Sequence, residues 1–187
     1  MGLLSQHTPR RLLSRALALL LFAGAALGAG APVSEYQLKA VFLFNFAQFI
    51  EWPAAALPRD SAPFVIGVLG EDPFGTELDD VVRAESVNHH PLAVERYHSV
   101  TEVRDCQILF IAASERAHLD QVLAALKGRS ILTVTDANAP TPSGVMIELV
   151  RADNRIKLRI DLQAAKDSNL TISSKLLRPA EIVGSRS

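Results

Sequence analysis

Residues 38–53, LKAVFLFNFAQFIEWP, constrain the fold more than any other part of the chain. Ten of the thirteen positions from Leu38 to Ile50 are apolar, and the polar ones, Lys39, Asn45 and Gln48, share no helical face. A helix that is apolar all round is buried on every side or lies in a membrane. A membrane span needs about 20 apolar residues, and Glu51, Trp52 and Pro53 close this run well before that. The run also begins as helices of globular proteins do. Ser34 and Gln37 make a capping box, and Val33 is placed to staple onto Leu38. The pattern therefore predicts a core helix, with Phe42 and Phe46 among its anchors.

What precedes that helix sets the compartment. Arg10, Arg11 and Arg15 form a basic start, Ala16 to Leu27 a short apolar stretch, and Gly28 to Ala31 a run of small residues. This is the pattern of a secretory signal peptide, here residues 1–29. The Arg10-Arg11 pair hints at twin-arginine export, but its flanks favour the ordinary route. Residues 30–187 then form one domain, large enough for a real core. The leader removes three of the 19 basic residues and none of the 20 acids, leaving a net charge of −4. A mildly acidic exported domain has no electrostatic case for nucleic acid. Cys106 is the single cysteine and has no intramolecular partner, so packing must supply the stability.

The middle of the chain alternates strand and helix signals. Phe64 to Leu69 is a buried-strand run ending at Gly70. Asp72-Pro73 reads as a helix start, followed by the apolar stripe Phe74, Leu78, Val81 and Val82. Pro91 to Val94 is a weak strand and Gln107 to Ala112 a strong one. Ser114 is placed to cap the next helix, with the stripe Leu119, Val122, Leu123 and Leu126 and a stop at Gly128. Ile131 to Val134 is another buried strand. Buried strands separated by helices predict an α/β fold with a mostly parallel sheet and helices on its faces.

The pattern changes after the loop Pro140–Gly144. Val145, Ile147 and Leu149 alternate with more polar positions, and Ile156, Leu158 and Ile160 alternate with Arg155, Lys157 and Arg159. Pairing Val150 with Arg155 puts every apolar pair on one face and sets Glu148 against Lys157. An antiparallel hairpin is thus expected to finish the sheet, with a broken helical tail (Leu162 to Ala165, then Ile172 to Leu177) stopped by Pro179.

No catalytic constellation emerges. The Gly67-x-x-Gly70 turn sits where α/β folds often bind phosphate, but it lacks the dinucleotide fingerprint and carries Glu71 and Asp72. His89-His90, His98 and His118 match no metal spacing and read as solvated loop residues. Cys106 opens an apolar strand, where a thiol is inert. Catalytic, cofactor-binding and metal-ligating residues are therefore expected to be absent, and no cofactor is assigned.

The whole pattern resembles one family. LKAVFLFNFAQFIEWP is joined by IGVLGEDPFG (66–75), CQILFIAASE (106–115), ILTVTDA (131–137), GVMIEL (144–149) and KLRIDLQAAKDSNLTISSKLLRPA (157–180). Together these resemble the YfiR/HmsC-like periplasmic proteins over residues 36–183. The resemblance implies a periplasmic α/β regulator without enzymatic activity. It would repress an inner-membrane diguanylate cyclase, or serve another membrane sensor, by binding the periplasmic region. Cyclic di-GMP, biofilm and exopolysaccharide output would fall as a result. A homodimer is compatible with this, being the commonest symmetric assembly. Candidate partner contacts are Trp52 and Pro53, at the exit of the first helix, and Leu176 and Leu177 in the tail. The alternative is a periplasmic module that binds a small ligand in the crevice at the strand ends. Relatives use paired cysteines, so Cys106 alone brings no disulfide control.

Overall fold

In the computed structural model, residues 34–59, 61–136, 144–153 and 155–184 are described. The leader expected over residues 1–29, the Val33 staple and residues 140–143 of the expected loop lie outside them. From Ser34 onward the chain packs as one compact unit.

Its elements run α1 (Glu35–Phe49), β1 (Ile50–Glu51), β2 (Phe64–Leu69), α2 (Glu77–Val82), β3 (Ser86–Val87), β4 (His90–Tyr97) and β5 (Ile108–Ile111). They continue through α3 (Leu119–Leu126), β6 (Leu132–Asp136), β7 (Ile147–Ala152), β8 (Arg155–Asp161), α4 (Leu162–Asp167), β9 (Thr171–Ile172), α5 (Ser174–Leu177) and β10 (Glu181–Val183). The main sheet has eight strands in the order β10-β8-β7-β6-β5-β2-β4-β3. The stretch β4-β2-β5-β6-β7 is parallel throughout. A mixed α/β fold with a mostly parallel sheet is therefore what the sequence forms. Strands β2, β5 and β6 are buried at every residue, because helices cover both faces and leave no solvated side for polar residues to occupy.

One face carries α1, α2, α4 and α5, whose Phe46, Leu78, Ala165 and Leu176 pack with Ile66, Phe110, Val134 and Ile147 of the sheet. The other carries α3, whose Leu119, Val122 and Leu126 meet Leu69, Leu109 and Ile111. Helix α1 is rich in phenylalanine, a moderate helix former, so its cap and its packing must hold it. Ser34 Oγ accepts from the Gln37 N–H at 2.9 Å. At the other end Ile50 turns extended and pairs with Ile172 in a two-stranded β1–β9 ribbon.

Several expectations need correction. Helix α1 is not buried all round: Lys39, Ala40, Leu43, Phe46 and Ala47 face the core, whereas Leu38 and Val41 are each 38 % exposed. The helix lies in an outer layer, and its apolar outer face is a surface. Helix α2 starts at Glu77 instead of Pro73, because Gly75 at φ +56° turns the chain after Asp72 accepts from the Phe74 N–H. Ser114 caps no helix; its hydroxyl accepts from the Glu71 N–H at 2.9 Å. The β7–β8 hairpin exists, but Val150 pairs with Lys157 and Ala152 with Arg155. Asp153 at φ +50° permits a tighter connection than expected. The slip is two residues, so every side chain keeps its face, and Glu148 meets Arg159 at 2.8 Å instead of Lys157. Nor does the hairpin finish the sheet, since β10 adds outside β8. The tail is two short helices separated by β9 and followed by that strand.

Burying one Phe contributes about 1.5–3 kcal/mol, and truncating it leaves a cavity as well. Phe46 is fully buried and Phe42 only partly. Phe46→Ala is therefore expected to cost about 3–5 kcal/mol in urea denaturation, and Phe42→Ala clearly less. Equal losses would show that α1 is enclosed on both sides.

Candidate functional site

The first turn of α1 carries Glu35, Tyr36 and Lys39, spaced so that they meet over one side of the helix. The sheet brings Asp136, the last residue of β6, beneath them. Lys39 is 1 % exposed, and a lysine is almost never buried unless paired. Its ammonium nitrogen lies 2.8 Å from Asp136 Oδ1 and 2.5 Å from Glu35 Oε1, and 4.5 Å from the centroid of the Tyr36 ring. Tyr36 donates to Asp136 Oδ2 at 2.9 Å. Among the described residues Oδ1 meets only the Lys39 ammonium. From β7, Arg151 reaches Glu35 Oε2 at 2.7 Å. Ser34 donates to Glu77 of α2 at 2.6 Å. One helix end is thus tied to β6, β7 and α2 at once.

The electrostatics follow from this arrangement. The hydrogen bond from Lys39 holds the Glu35 carboxyl below its ordinary range, against the effect of burial. Burial, then the charge of Asp136, pushes the Tyr36 phenol up to about 12, so it stays a neutral donor at physiological pH. Each carboxylate in the cluster already has a cation or a phenol. The arrangement locks a helix and leaves no base free to abstract a proton from a substrate.

The crevice where such sheets bind ligands lies beyond the carboxyl ends of the strands, where the winding reverses. Here β2 is followed in sequence by β4 on one side and β5 on the other, so that point lies between β2 and β5. It is closed. A Cβ on Gly70 would stand 2.4 Å from Ser114 Oγ and 2.9 Å from Glu115 Cγ, so the two loops touch. Asp72 is held by Arg96 at 2.8 Å, and Arg96 also binds Asp79 and the Gly75 carbonyl. The Gly67-x-x-Gly70 turn thus packs against protein. An open cleft of about 720 Å3 lies at the opposite end of the strands, with Arg59, Glu95, Arg104, Asp105, Cys106 and Arg129 on its walls.

The four candidate partner residues lie around the far end of α1. Trp52 is 9 % and Leu176 7 % exposed, while Pro53 and Leu177 are half-buried. The β1–β9 pairing and the bond from the Ser173 N–H to the Phe49 carbonyl bring the two segments together. Trp52 stacks edge-on against Phe64 at 5.1 Å, and its Nε1 has no partner among the described residues. His89 sits in the tight β3–β4 turn at φ +71°, and the His90 ring contacts the Ala62 carbonyl. The buried charge cluster escaped the sequence reading. Its one signal was Lys39, a lone charge inside an apolar run with Glu35 four residues before it.

The sequence model described as YfiR/HmsC-like matches residues 36–181 of this chain. The chain belongs to that family. No curated protein matches it. The matched span begins at Tyr36 in α1 and ends at Glu181, the first residue of β10, so it takes in Tyr36, Lys39 and Asp136 of the charge cluster and every strand from β1 to β9. This YfiR/HmsC-like chain carries Cys106 as a buried free thiol. Burial pushes that thiol up to about 12, with the Glu95 charge adding to the effect. Burial is the main cause that suppresses the thiolate.

Two outcomes follow. Lys39→Ala leaves Asp136 buried without a counter-charge and is expected to cost about 3–5 kcal/mol. Lys39→Met with Asp136→Leu removes both charges and is expected to cost far less in the same denaturation series. Cys106 is expected to react with iodoacetamide orders of magnitude more slowly than a free thiol in the native protein, and at the ordinary rate in denaturant. Fast native labelling would show that the β5 entry opens.

Proposed function

We propose that the chain is an exported, non-catalytic regulator that restrains an inner-membrane diguanylate cyclase by binding its periplasmic sensor region. Membership of the YfiR/HmsC-like family over residues 36–181 carries this reading. Three features support it. The first 29 residues have the pattern of a cleavable leader, which would leave residues 30–187 as one periplasmic domain. Among the described residues no helix is long and apolar enough to cross a membrane. The titratable groups at the end of the sheet are consumed in structural contacts, so the molecule has more to offer a partner in surface than in chemistry. Pro53 and Leu177, with Trp52 and Leu176 behind them, form one candidate contact patch.

A second reading keeps a specific observation in its favour. The cleft of about 720 Å3 has the size of a small-ligand site, which suits a periplasmic module serving a sensor kinase or a transporter.

Deleting the gene is expected to raise cellular cyclic di-GMP, and complementation with the full chain to restore it. The mature protein should also retrieve a cyclase from solubilised inner membrane. An unchanged nucleotide level together with no cyclase in the pull-down would move the assignment to the ligand-binding module.

A further inference from the structure

The open cleft at the amino ends of the strands differs from the closed crevice at their carboxyl ends in what its charges do. At the crevice Arg96 is bound by Asp72 and Asp79. In the cleft Glu95, Arg104, Asp105 and Arg129 stand on the walls, yet among the described residues none of them joins an ion pair. Neutral groups hold two of them in place. Arg129 donates to the Val103 carbonyl at 2.8 Å and to the Arg104 carbonyl, and Glu95 accepts from the Tyr97 hydroxyl at 2.7 Å. At the Cys106 thiol, which burial raises most, the Glu95 charge adds to the rise and the Arg129 charge opposes it. An anion and a cation therefore flank one floor without meeting.

We infer that the cleft binds a short peptide with free termini and small side chains, its ammonium towards Glu95 and its carboxylate towards Arg104 and Arg129. This rests on the ligand-binding reading of the cleft and gives that reading its ligand class; it holds whether or not the domain also restrains a cyclase. The spacing favours a peptide over a single amino acid. Glu95 stands on β4, whereas Arg104 and Arg129 lead into β5 and β6, two and three strands away, or about 10 and 14 Å at the usual strand spacing. An extended tripeptide spans about 10 Å, which one amino acid cannot. A carboxylate suits the guanidinium fork, and a peptide amine is protonated near neutral pH.

Other occupants fit less well. One wall is built largely of small or cyclic side chains, Ala55, Ala56, Pro58, Ala62 and Pro63, and offers no deep apolar hole for a bulky group. Among the described residues no aromatic ring lines the cleft, so a nucleobase or an aromatic side chain would find no face to stack on. A simple anion would occupy little of about 720 Å3 and would face Glu95 and Asp105 as well as the arginines.

Calorimetric titration of the mature protein with tri-L-alanine tests this, beside its N-acetyl and C-amide forms, free alanine and inorganic phosphate. Trialanine is expected to bind, and blocking either terminus to weaken binding at least about tenfold, the value of one charge-assisted hydrogen bond. Glu95→Gln is expected to abolish the penalty for acetylation and to keep that for amidation. Arg104→Gln is expected to do the reverse, reducing the penalty for amidation alone. Both side chains are exposed, so the melting temperature should not move, and Arg155→Gln on the distant hairpin should leave affinity unchanged. Equal affinity for the three peptide forms overturns the inference, as does trialanine binding that neither cleft variant alters. Phosphate or free alanine binding more tightly than trialanine overturns the peptide class, while the cleft remains a ligand site. Silence from every probe at millimolar concentration overturns it too, and takes away the observation on which the ligand-binding reading stands.

Discussion

The buried pair of Lys39 and Asp136 is the contact on which the rest of the architecture depends. Removing two charges from water costs several kcal/mol per ion, and only close geometry with further hydrogen bonds offsets it. Here the offset comes from Glu35 on the ammonium and from Tyr36 on the carboxylate. Such a cluster adds little net stability over an apolar substitute, but it tolerates few arrangements. Turning α1 by one residue, about 100°, would carry Lys39 away from Asp136 and towards apolar neighbours. The cluster therefore sets the rotation of a helix whose own composition, apolar on all sides, does not. Once that rotation is set, Phe46 and Leu43 face the sheet and Leu38 and Val41 face outward.

The same end of the molecule explains why a doubly wound sheet here is a poor ligand site. The topology makes a crevice between β2 and β5, as it does in cofactor-binding relatives of the architecture. Ser114 and Glu115 then pack into the space that Gly70 leaves open, and Arg96 ties the neighbouring carboxylates together. An anion approaching this point would meet Glu71, Asp72 and Glu115. A fold does not carry its usual function with it. In this chain the groups that would serve a ligand serve the fold.

Much of the fold was legible in the sequence, for identifiable reasons. Strands β2 and β5 are short apolar runs, and burial on both faces makes such runs unmistakable; β6 was read from Ile131, Leu132 and Val134, with Thr133, Thr135 and Asp136 buried among them. The face assignment of the hairpin survived its two-residue register error because side chains alternate with a period of two. The error came from the turn, where a tight connection through Asp153 extends both strands beyond what apolar pairing indicates. Strand β4 reads poorly because Pro91 stands near its start and Glu95 and Arg96 lie exposed near its end, and β10 because Ile182 is an exposed edge residue. The start of α2 was misplaced because Asp72-Pro73 suits a turn as well as a helix. The candidate surface was the least legible part. Trp52 and Leu176 are large apolar residues near element ends, yet packing around the β1–β9 ribbon buries them. The outer face of α1 carries only a weak signature, Asn45 and Gln48 three residues apart, and the buried Lys39 on the other side masks it until its contact with Asp136 is known.

That dependence joins stability to recognition within one helix. The inward side of α1 contributes Phe46 and Leu43 to the core, and its outward side presents Leu38 and Val41 only while the core side is docked. Whatever binds the outward side binds the docked state alone. It must then stabilise that state by RT ln(1 + [L]/Kd), which is felt by the Lys39 cluster and by every element tied to it. Conversely, a change that loosens the cluster removes the charged contact that fixes the rotation of α1. With no disulfide among the described residues to hold the domain together, packing and buried charge are what tie the two sides of α1 to one another.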